Sequence, residues 1–220
     1  MAFSKDGKLL VSGGLEDTII VWDVSDGATP TALRTLTGHT RGGVQAVTFS
    51  PDGLRIASAS FDGTVIIWHV QSGKRLLKFE GHEGKAVWCA AWSPDGELVA
   101  SGGDNGAILV WEADTGTQVM QPLRGHGREV NCVCFGNNTS SLLASGSSDK
   151  TIKIWELGEG AHATLRHTLE GHTDSVRSIA LSPDDRYMAI ASDDKPVVLW
   201  DLATGSESEC LRAIRVLSTV

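Results

Sequence analysis

The sequence predicts an all-β chain built from one antiparallel unit repeated about five times, and three observations carry that expectation. Trp recurs at 22, 68, 111, 155 and 200, at intervals of 46, 43, 44 and 45 residues. Gly-His pairs recur in step at 38–39, 81–82, 125–126 and 171–172, with His-to-Trp distances of 29, 29, 29 and 28. Between these markers the texture is that of short strands rich in β-branched and aromatic residues, each bounded by turn formers. Two markers holding one phase at this period define a repeat architecture.

One period shows how the elements follow. VQAVTF (44–49) reads as the first strand, LRIASAS (54–60) as the second, TVIIW (64–68) as the third and KRLLKF (74–79) as the fourth. SPDG closes the first hairpin at 50–53 and again at 93–96, with SKDG at 4–7 and SPDD at 182–185 in equivalent places. Pro fixes φ and Asp-Gly supplies tight-turn geometry. Gln71-Ser72-Gly73 and Asp114-Thr115-Gly116 close the turn after the Trp strand. Four strands per period make a repeated antiparallel meander. Trp88 and Trp92 are out of phase and belong to one repeat alone.

Composition bounds the function classes. The chain has 220 residues with 41% hydrophobic and 21% charged residues, close to globular averages, which excludes a disordered chain. A formal charge of −8 removes the broad attraction that a phosphate backbone or an anionic lipid surface needs, so neither nucleic acid nor membrane is an expected partner. Cys89, Cys132, Cys134 and Cys210 lack paired metal-ligand spacing, and a reducing compartment fits them. No apolar run approaches membrane-spanning length, and the charged start (MAFSKDGKLL) does not read as a secretory signal. An intracellular protein, cytoplasmic or nuclear, is expected. In that setting the sequon at Asn137-Asn138-Thr139 carries no weight.

With these residues in view, the chain resembles the WD-repeat β-propeller family along essentially its whole length. The family's Gly-His marker stands here four times, and its Trp-Asp marker stands as Trp22-Asp23, Trp68-His69, Trp111-Glu112, Trp155-Glu156 and Trp200-Asp201. The resemblance implies four-stranded antiparallel blades around a central channel, as one domain over 1–220. Its repeats run approximately 1–37 (partial), 38–80, 81–124, 125–170 and 171–212. Ala2-Phe3-Ser4 aligns with Thr48-Phe49-Ser50, so the N-terminal blade is incomplete. Family members commonly close seven blades. Three readings of the count follow: an open arc of a larger ring, a five-bladed ring shut without a clasp, or half of an assembly with another chain. An open arc leaves sticky edges that favour self-association or a second chain completing the ring. The apolar stretch LRAIRVLSTV (211–220) is expected to cover part of that edge.

Counted back from each Trp, position −10 holds Ser12, Ser58, Ser101, Ser145 and Ile190, and position −6 holds Glu16, Asp62, Asn105, Asp149 and Asp194. With the Gly-His this gives a Ser, a His and an acid per repeat, the inventory of a hydrolase triad. A nucleophilic site needs one such set with an oxyanion hole and a pocket, not copies at every period. The resemblance implies a different role, a bracing hydrogen-bond chain from Trp indole to Ser, Ser to His and His to Asp. Buried indole and imidazole groups need such partners. His39-Ser58-Asp62-Trp68 and His126-Ser145-Asp149-Trp155 are complete. His82-Ser101-Asn105-Trp111 has a neutral acceptor, His172-Ile190-Asp194-Trp200 lacks the hydroxyl, and the first repeat has Glu16 and no His.

No catalytic residue, cofactor site or metal site is therefore expected. Cys132 and Cys134 share one strand face as core or channel-lining thiols, and His162 and His167 read as exposed outer-strand residues. No Gly-Lys-Ser/Thr loop cradles a phosphate, and the Gly-Gly pairs at 13–14, 42–43 and 102–103 read as turns. Function falls to surfaces. In the family the face with the Gly-His loops is the usual docking side, where this chain places Gln45, Trp88, Asn131 and Arg177 after the first Val of each inner strand. Leu15, Phe61, Asp104, Ser148 and Asp193 precede the acid position there. Aromatics and Arg dominate interface energetics, which singles out Trp88 and Phe61 against the alternative that Trp88 packs beside Trp92. The set suits a protein or peptide ligand with basic character.

The expected function is a non-enzymatic interaction scaffold. A hydrolase is the alternative, and so is a substrate receptor of a ubiquitin ligase. The Arg that such receptors often carry two positions after Trp-Asp is replaced here by Ser25, Gln71, Asp114, Gly158 and Ala203. A heterotrimeric G-protein β role is disfavoured because its N-terminal helix is not seen.

Overall fold

A computed structural model describes residues 1–27, 29–158, 161–204 and 206–210. Among them are nineteen strands and no helix. The first sheet joins β1 (Ala2–Phe3), β2 (Leu9–Gly13), β3 (Thr18–Asp23) and β4 (Thr31–Thr37). The second joins β5 (Val44–Phe49), β6 (Arg55–Ser60), β7 (Val65–His69) and β8 (Arg75–Phe79). The third holds β9 (Val87–Trp92), β10 (Leu98–Gly103) and β11 (Ile108–Glu112). The fourth holds β12 (Val130–Phe135), β13 (Leu142–Ser147), β14 (Ile152–Leu157) and β15 (Ala163–Leu169). The fifth holds β16 (Val176–Leu181), β17 (Tyr187–Ser192), β18 (Lys195–Asp201) and β19 (Ser206–Cys210). Every pairing is antiparallel between chain neighbours, because each connection is short enough for a hairpin.

The turn chemistry is visible atom by atom. Gly53 takes φ 72°, its N–H donates to Ser50 O at 2.9 Å, and Arg55 N–H donates to Ser50 Oγ at 2.9 Å. In the fifth sheet Asp185 occupies the equivalent left-handed position at φ 57°, which Asp tolerates better than most side chains.

Four apolar cores join the sheets in series. Ile19, Val21 and Leu36 of the first sheet pack with Val47, Ile56, Ile66 and Trp68 of the second. Ala57, Ala59, Val65 and Ile67 on the opposite face of the second meet Val87, Val99, Leu109 and Trp111 of the third. The third and fourth share Val110, Leu123, Val133, Leu143 and Trp155, and the fourth and fifth share Ile152, Ile154, Met188, Ile190 and Trp200. Alternation along each strand sends one residue set to each neighbour. Close approach at the inner end needs glycine: a Cβ on Gly102 or Gly146 would lie 2.6 or 2.5 Å from Cγ1 of Val130 or Val176. Gly13, Gly102 and Gly103 therefore sit in strands rather than in turns as expected.

Among the described residues no such core joins the fifth sheet to the first. Leu10, Ile20 and Trp22 remain half-buried where their counterparts Ile56, Ile66 and Trp68 are buried. At the other end Ala189, Ala191 and Leu199 remain half-buried where Ala57, Ala59 and Ile67 are fully covered. The structure is thus an open arc of propeller blades, and the reading of a five-bladed ring shut on itself is corrected. The stretch 211–220, expected to cover an edge, lies outside the described residues.

The expectation of four strands in every blade is corrected in the third. Its outer segment makes two isolated bridges, Trp111 with Gln118 and Ile108 with Leu123. The register slips by two residues between these bridges, and Gln118 Nε2 donates to Met120 O at 2.6 Å within the extra length.

Candidate functional site

The imidazole chains come first. In the second blade Trp68 Nε1 donates to Ser58 Oγ at 2.8 Å, His39 Nε2 lies 2.8 Å from the same oxygen, and His39 Nδ1 lies 3.0 Å from Asp62 Oδ2. The fourth blade repeats this with Trp155, Ser145, His126 and Asp149 at 2.9, 2.8 and 2.9 Å. Sequence spacing produces the geometry: the Ser sits mid-way along the second strand of its sheet, the Trp on the third, and the His on the loop entering the first. The acid also accepts backbone N–H bonds from the residue after the His, Thr40 or Gly127, at 3.0 and 2.9 Å.

The electrostatics fix the protonation states. Burial pushes the His39 and His126 imidazoles below their ordinary pKa, outweighing the neighbouring carboxylates. Burial would raise the Asp149 carboxyl, but bonds from Thr151, Gly127 and His126 outweigh it and hold it at about 2. A neutral imidazole then donates Nδ1–H to the carboxylate and accepts the Ser O–H at Nε2. Ser58, Ser101 and Ser145 are 0% exposed.

The remaining blades are incomplete. His82 Nε2 meets Ser101 Oγ at 2.8 Å and Trp111 Nε1 donates to that oxygen at 3.0 Å. His82 Nδ1 has no partner, because Asn105 turns its Oδ1 to Ala107 N–H at 3.2 Å. The reading of Asn105 as a neutral acceptor for His82 is corrected. Burial alone lowers His82 to about 4. In the fifth blade His172 Nδ1 lies 2.9 Å from Asp194 Oδ1, and with Ile190 in the Ser place both His172 Nε2 and Trp200 Nε1 are orphaned. In the first, Trp22 Nε1 donates to Ser12 at 2.8 Å, and Asp17 rather than Glu16 takes a loop N–H, that of Gly43, at 2.6 Å.

The surface residues fall into lateral pairs beside the Gly-His loops. Trp88 Nε1 donates to Asp104 Oδ1 at 3.2 Å, Asn131 Nδ2 donates to Ser148 Oγ at 3.0 Å, and Arg177 Nε donates to Asp193 Oδ2 at 2.7 Å. Two links cross between blades. Phe61 meets Trp88 edge to face at a centroid distance of 4.8 Å, and Asn131 Nδ2 bonds Val176 O at 2.8 Å. Gln45 holds the equivalent place in the second blade and is half-buried, while Ser148 is buried. Leu15 is 84% exposed near Gly43. The alternative that Trp88 packs on Trp92 is corrected: Trp92 is buried with the Arg55 guanidinium 4.8 Å over its ring.

Elsewhere, burial pushes the Cys132 and Cys134 thiols up to about 12, so both are inert as nucleophiles at neutral pH. Among the described residues no group of three His, Cys, Asp or Glu is placed to hold a metal. His167 lies exposed in β15 and His162 just before it. A cavity of about 580 Å³ on the face of the SPDG turns is lined by Phe49, Ala91, Trp92, Cys134 and Phe135 among others.

Contacts that sequence spacing did not indicate tie the blades together on that second face. Asp185 accepts Asn137 and Asn138 N–H at 2.7 and 2.9 Å, and Arg55 bonds Asp114 at 2.6 Å and Gly96 O at 2.9 Å. The one sequence signal was the departure of Asp185 from the Gly of the SKDG and SPDG turns.

Comparison with known proteins is consistent with this architecture. The model of the WD domain, G-beta repeat family matches residues 1–23, 30–69, 73–112, 117–156 and 163–201, more than half of the chain. The chain is similar to nuclear distribution protein nudF 2 of Aspergillus clavatus, 41% identical over 83 residues, which are 38% of this chain and 18% of that protein. It is similar to nuclear distribution protein PAC1 of Tuber melanosporum, 38% identical over 77 residues, 35% of this chain and 16% of that protein. It is also similar to the WD repeat-containing protein 26 homolog of Arabidopsis thaliana, 39% identical over 83 residues, 38% of this chain and 14% of that protein. Each match spans less than a fifth of the relative's length. With its five matched segments and its arc of antiparallel sheets, the chain belongs to the WD domain, G-beta repeat family.

Proposed function

We propose that the chain is a non-enzymatic interaction scaffold that holds protein or peptide partners on the face carrying the Gly-His loops. One observation carries the reading: Ser58, Ser101 and Ser145 are wholly buried and already engaged by indole and imidazole, whereas Phe61, Trp88, Asp104, Arg177 and Asp193, which vary from blade to blade, reach the surface beside those loops. A nucleophile must reach its substrate, and here the hydroxyls lie between packed sheets. The repeated sets brace the blades instead. Family membership and the names of the relatives support a scaffold rather than an enzyme.

The test pairs capture with chemistry. Immobilised protein and its Trp88→Ala and Arg177→Ala variants are compared for bound partners by mass spectrometry, with thermal melting as the folding control and a serine-reactive phosphonate as the chemical probe. Partner loss in at least one variant at an unchanged melting temperature, with no serine labelled, is the expected result. Labelling of a single serine, or the same partners on all three proteins, overturns the reading.

A further inference from the structure

Equivalent positions in the third and fifth blades solve the same electrostatic problem differently. Asp193 precedes the acid of its loop, and Arg177, sixteen residues earlier on the inner strand, neutralises it with Nε at 2.7 Å and a second nitrogen at 2.6 Å. The pairing raises the Arg177 pKa and lowers that of Asp193. Asp104 occupies the same register in the third blade, with Trp88 where Arg177 stands. The indole supplies one N–H to Asp104 Oδ1 and no charge. Among the described residues no cation lies within ion-pair distance of Asp104, which is exposed.

The molecule also shows what completes such a pair. On the opposite face, Arg55 lies 4.8 Å over the Trp92 ring while its Nη1 bonds Asp114 Oδ1 at 2.6 Å. Guanidinium, indole and carboxylate form one assembly there, favourable because the planar cation meets the negative ring face and a carboxylate together. Trp88 and Asp104 are two of those three parts. Phe61, reaching from the neighbouring blade, packs on the indole at 70° and fixes its plane. The indole is thus already placed by Phe61 and by Asp104 before any ligand arrives, which lowers the ordering cost of binding.

We infer that Phe61, Trp88 and Asp104 form a receptor for an arginine side chain of a peptide partner, its guanidinium against the indole and paired with Asp104. This deepens the scaffold reading and rests on it. The overall charge of −8 favours approach of a basic segment. Lysine would make the point-charge contact but not the planar one.

The experiment follows the Trp88 indole N–H by nuclear magnetic resonance while the capped tripeptide Ala-Arg-Ala is added to about 20 mM, a range suited to millimolar affinity. The same peptide with lysine or with neutral citrulline is added in parallel, and Asp104→Asn, which keeps an acceptor for the indole, is the variant. A saturable shift with the arginine peptide is expected, weaker with lysine, absent with citrulline, and weakened about tenfold or more in Asp104→Asn. Equal responses to arginine and citrulline, an unaffected Asp104→Asn, or no response to any peptide overturns the inference. Should Trp88→Ala still lose its captured proteins while no peptide binds, the scaffold reading survives and the arginine receptor does not.

Discussion

The fourth and fifth blades carry the same imidazole, indole and carboxylate and differ at the centre by one side chain. In the fourth, Ser145 Oγ joins His126 to Trp155, and every nitrogen of the set has a partner. In the fifth, Ile190 fills the place, His172 keeps only Asp194, and two buried nitrogens are unpaired. Each buried polar group left without a partner costs about 1 to 3 kcal/mol. The fifth blade therefore owes its order to apolar burial by Met188, Ile190 and Val198, and the fourth adds a directional link between its entering loop and its two central strands. The same loop-to-carboxylate bonds persist in both, Gly127 N–H donating to Asp149 and Thr173 N–H to Asp194.

The largest expected effect breaks that comparison from the fourth-blade side. His126→Ala removes the acceptor of the Ser145 O–H and one donor to Asp149 and leaves a cavity, and should lower stability by about 3 kcal/mol in urea unfolding. His172→Ala removes one bond and one orphaned nitrogen and should lower it by about 1 to 2 kcal/mol. Equal losses would mean that the complete chain of bonds contributes nothing beyond packing.

A smaller effect comes from pH. His82 titrates at about 4 when folded, against 6.5 for the free side chain. Between those values the unfolded chain binds more protons than the folded one, so stability is full above about pH 6.5 and falls as pH drops toward 4. From pH 7 to pH 5 His82 should account for a loss on the order of 2 kcal/mol, and His82→Gln should remove that share, leaving the losses from His39 and His126, whose imidazoles burial also lowers. Asp149, held at about 2 against 3.8, withdraws its contribution only below about pH 4 and takes no part in this window. The same acid sensitivity between pH 7 and 5 in the original chain and in His82→Gln would contradict the buried neutral state of His82.

Much of the fold was legible because the repeat writes it five times. The 29-residue step from His39 to Trp68 and the ten-residue step from Ser58 to Trp68 recur because each spans a fixed number of strands, so a single-chain phase locates them. What occurs once was not legible. The edge-to-face pair of Phe61 and Trp88, the clamp of Asn137 and Asn138 on Asp185, and the Arg55 contact with Trp92 and Asp114 join different blades at spacings no period announces. Asn105 misled for a related reason: its type and position allowed a bond to His82, and a local backbone N–H two residues on competed successfully for its oxygen. The outer segment of the third blade departed from four strands because its pairing with β11 slips by two residues between Gln118 and Leu123, where the first, second and fourth blades slip by one.

Restoring the missing oxygen tests the comparison most directly. In Ile190→Ser, read by the Trp200 indole N–H resonance and by urea unfolding beside Ile154→Ser in the same core, the new hydroxyl should move that resonance downfield and link it to His172. The destabilisation should fall short of that in Ile154→Ser by about 1 to 2 kcal/mol. An unmoved Trp200 resonance with equal losses in the two variants would contradict the claim that a hydroxyl at this register joins imidazole to indole and holds the blade.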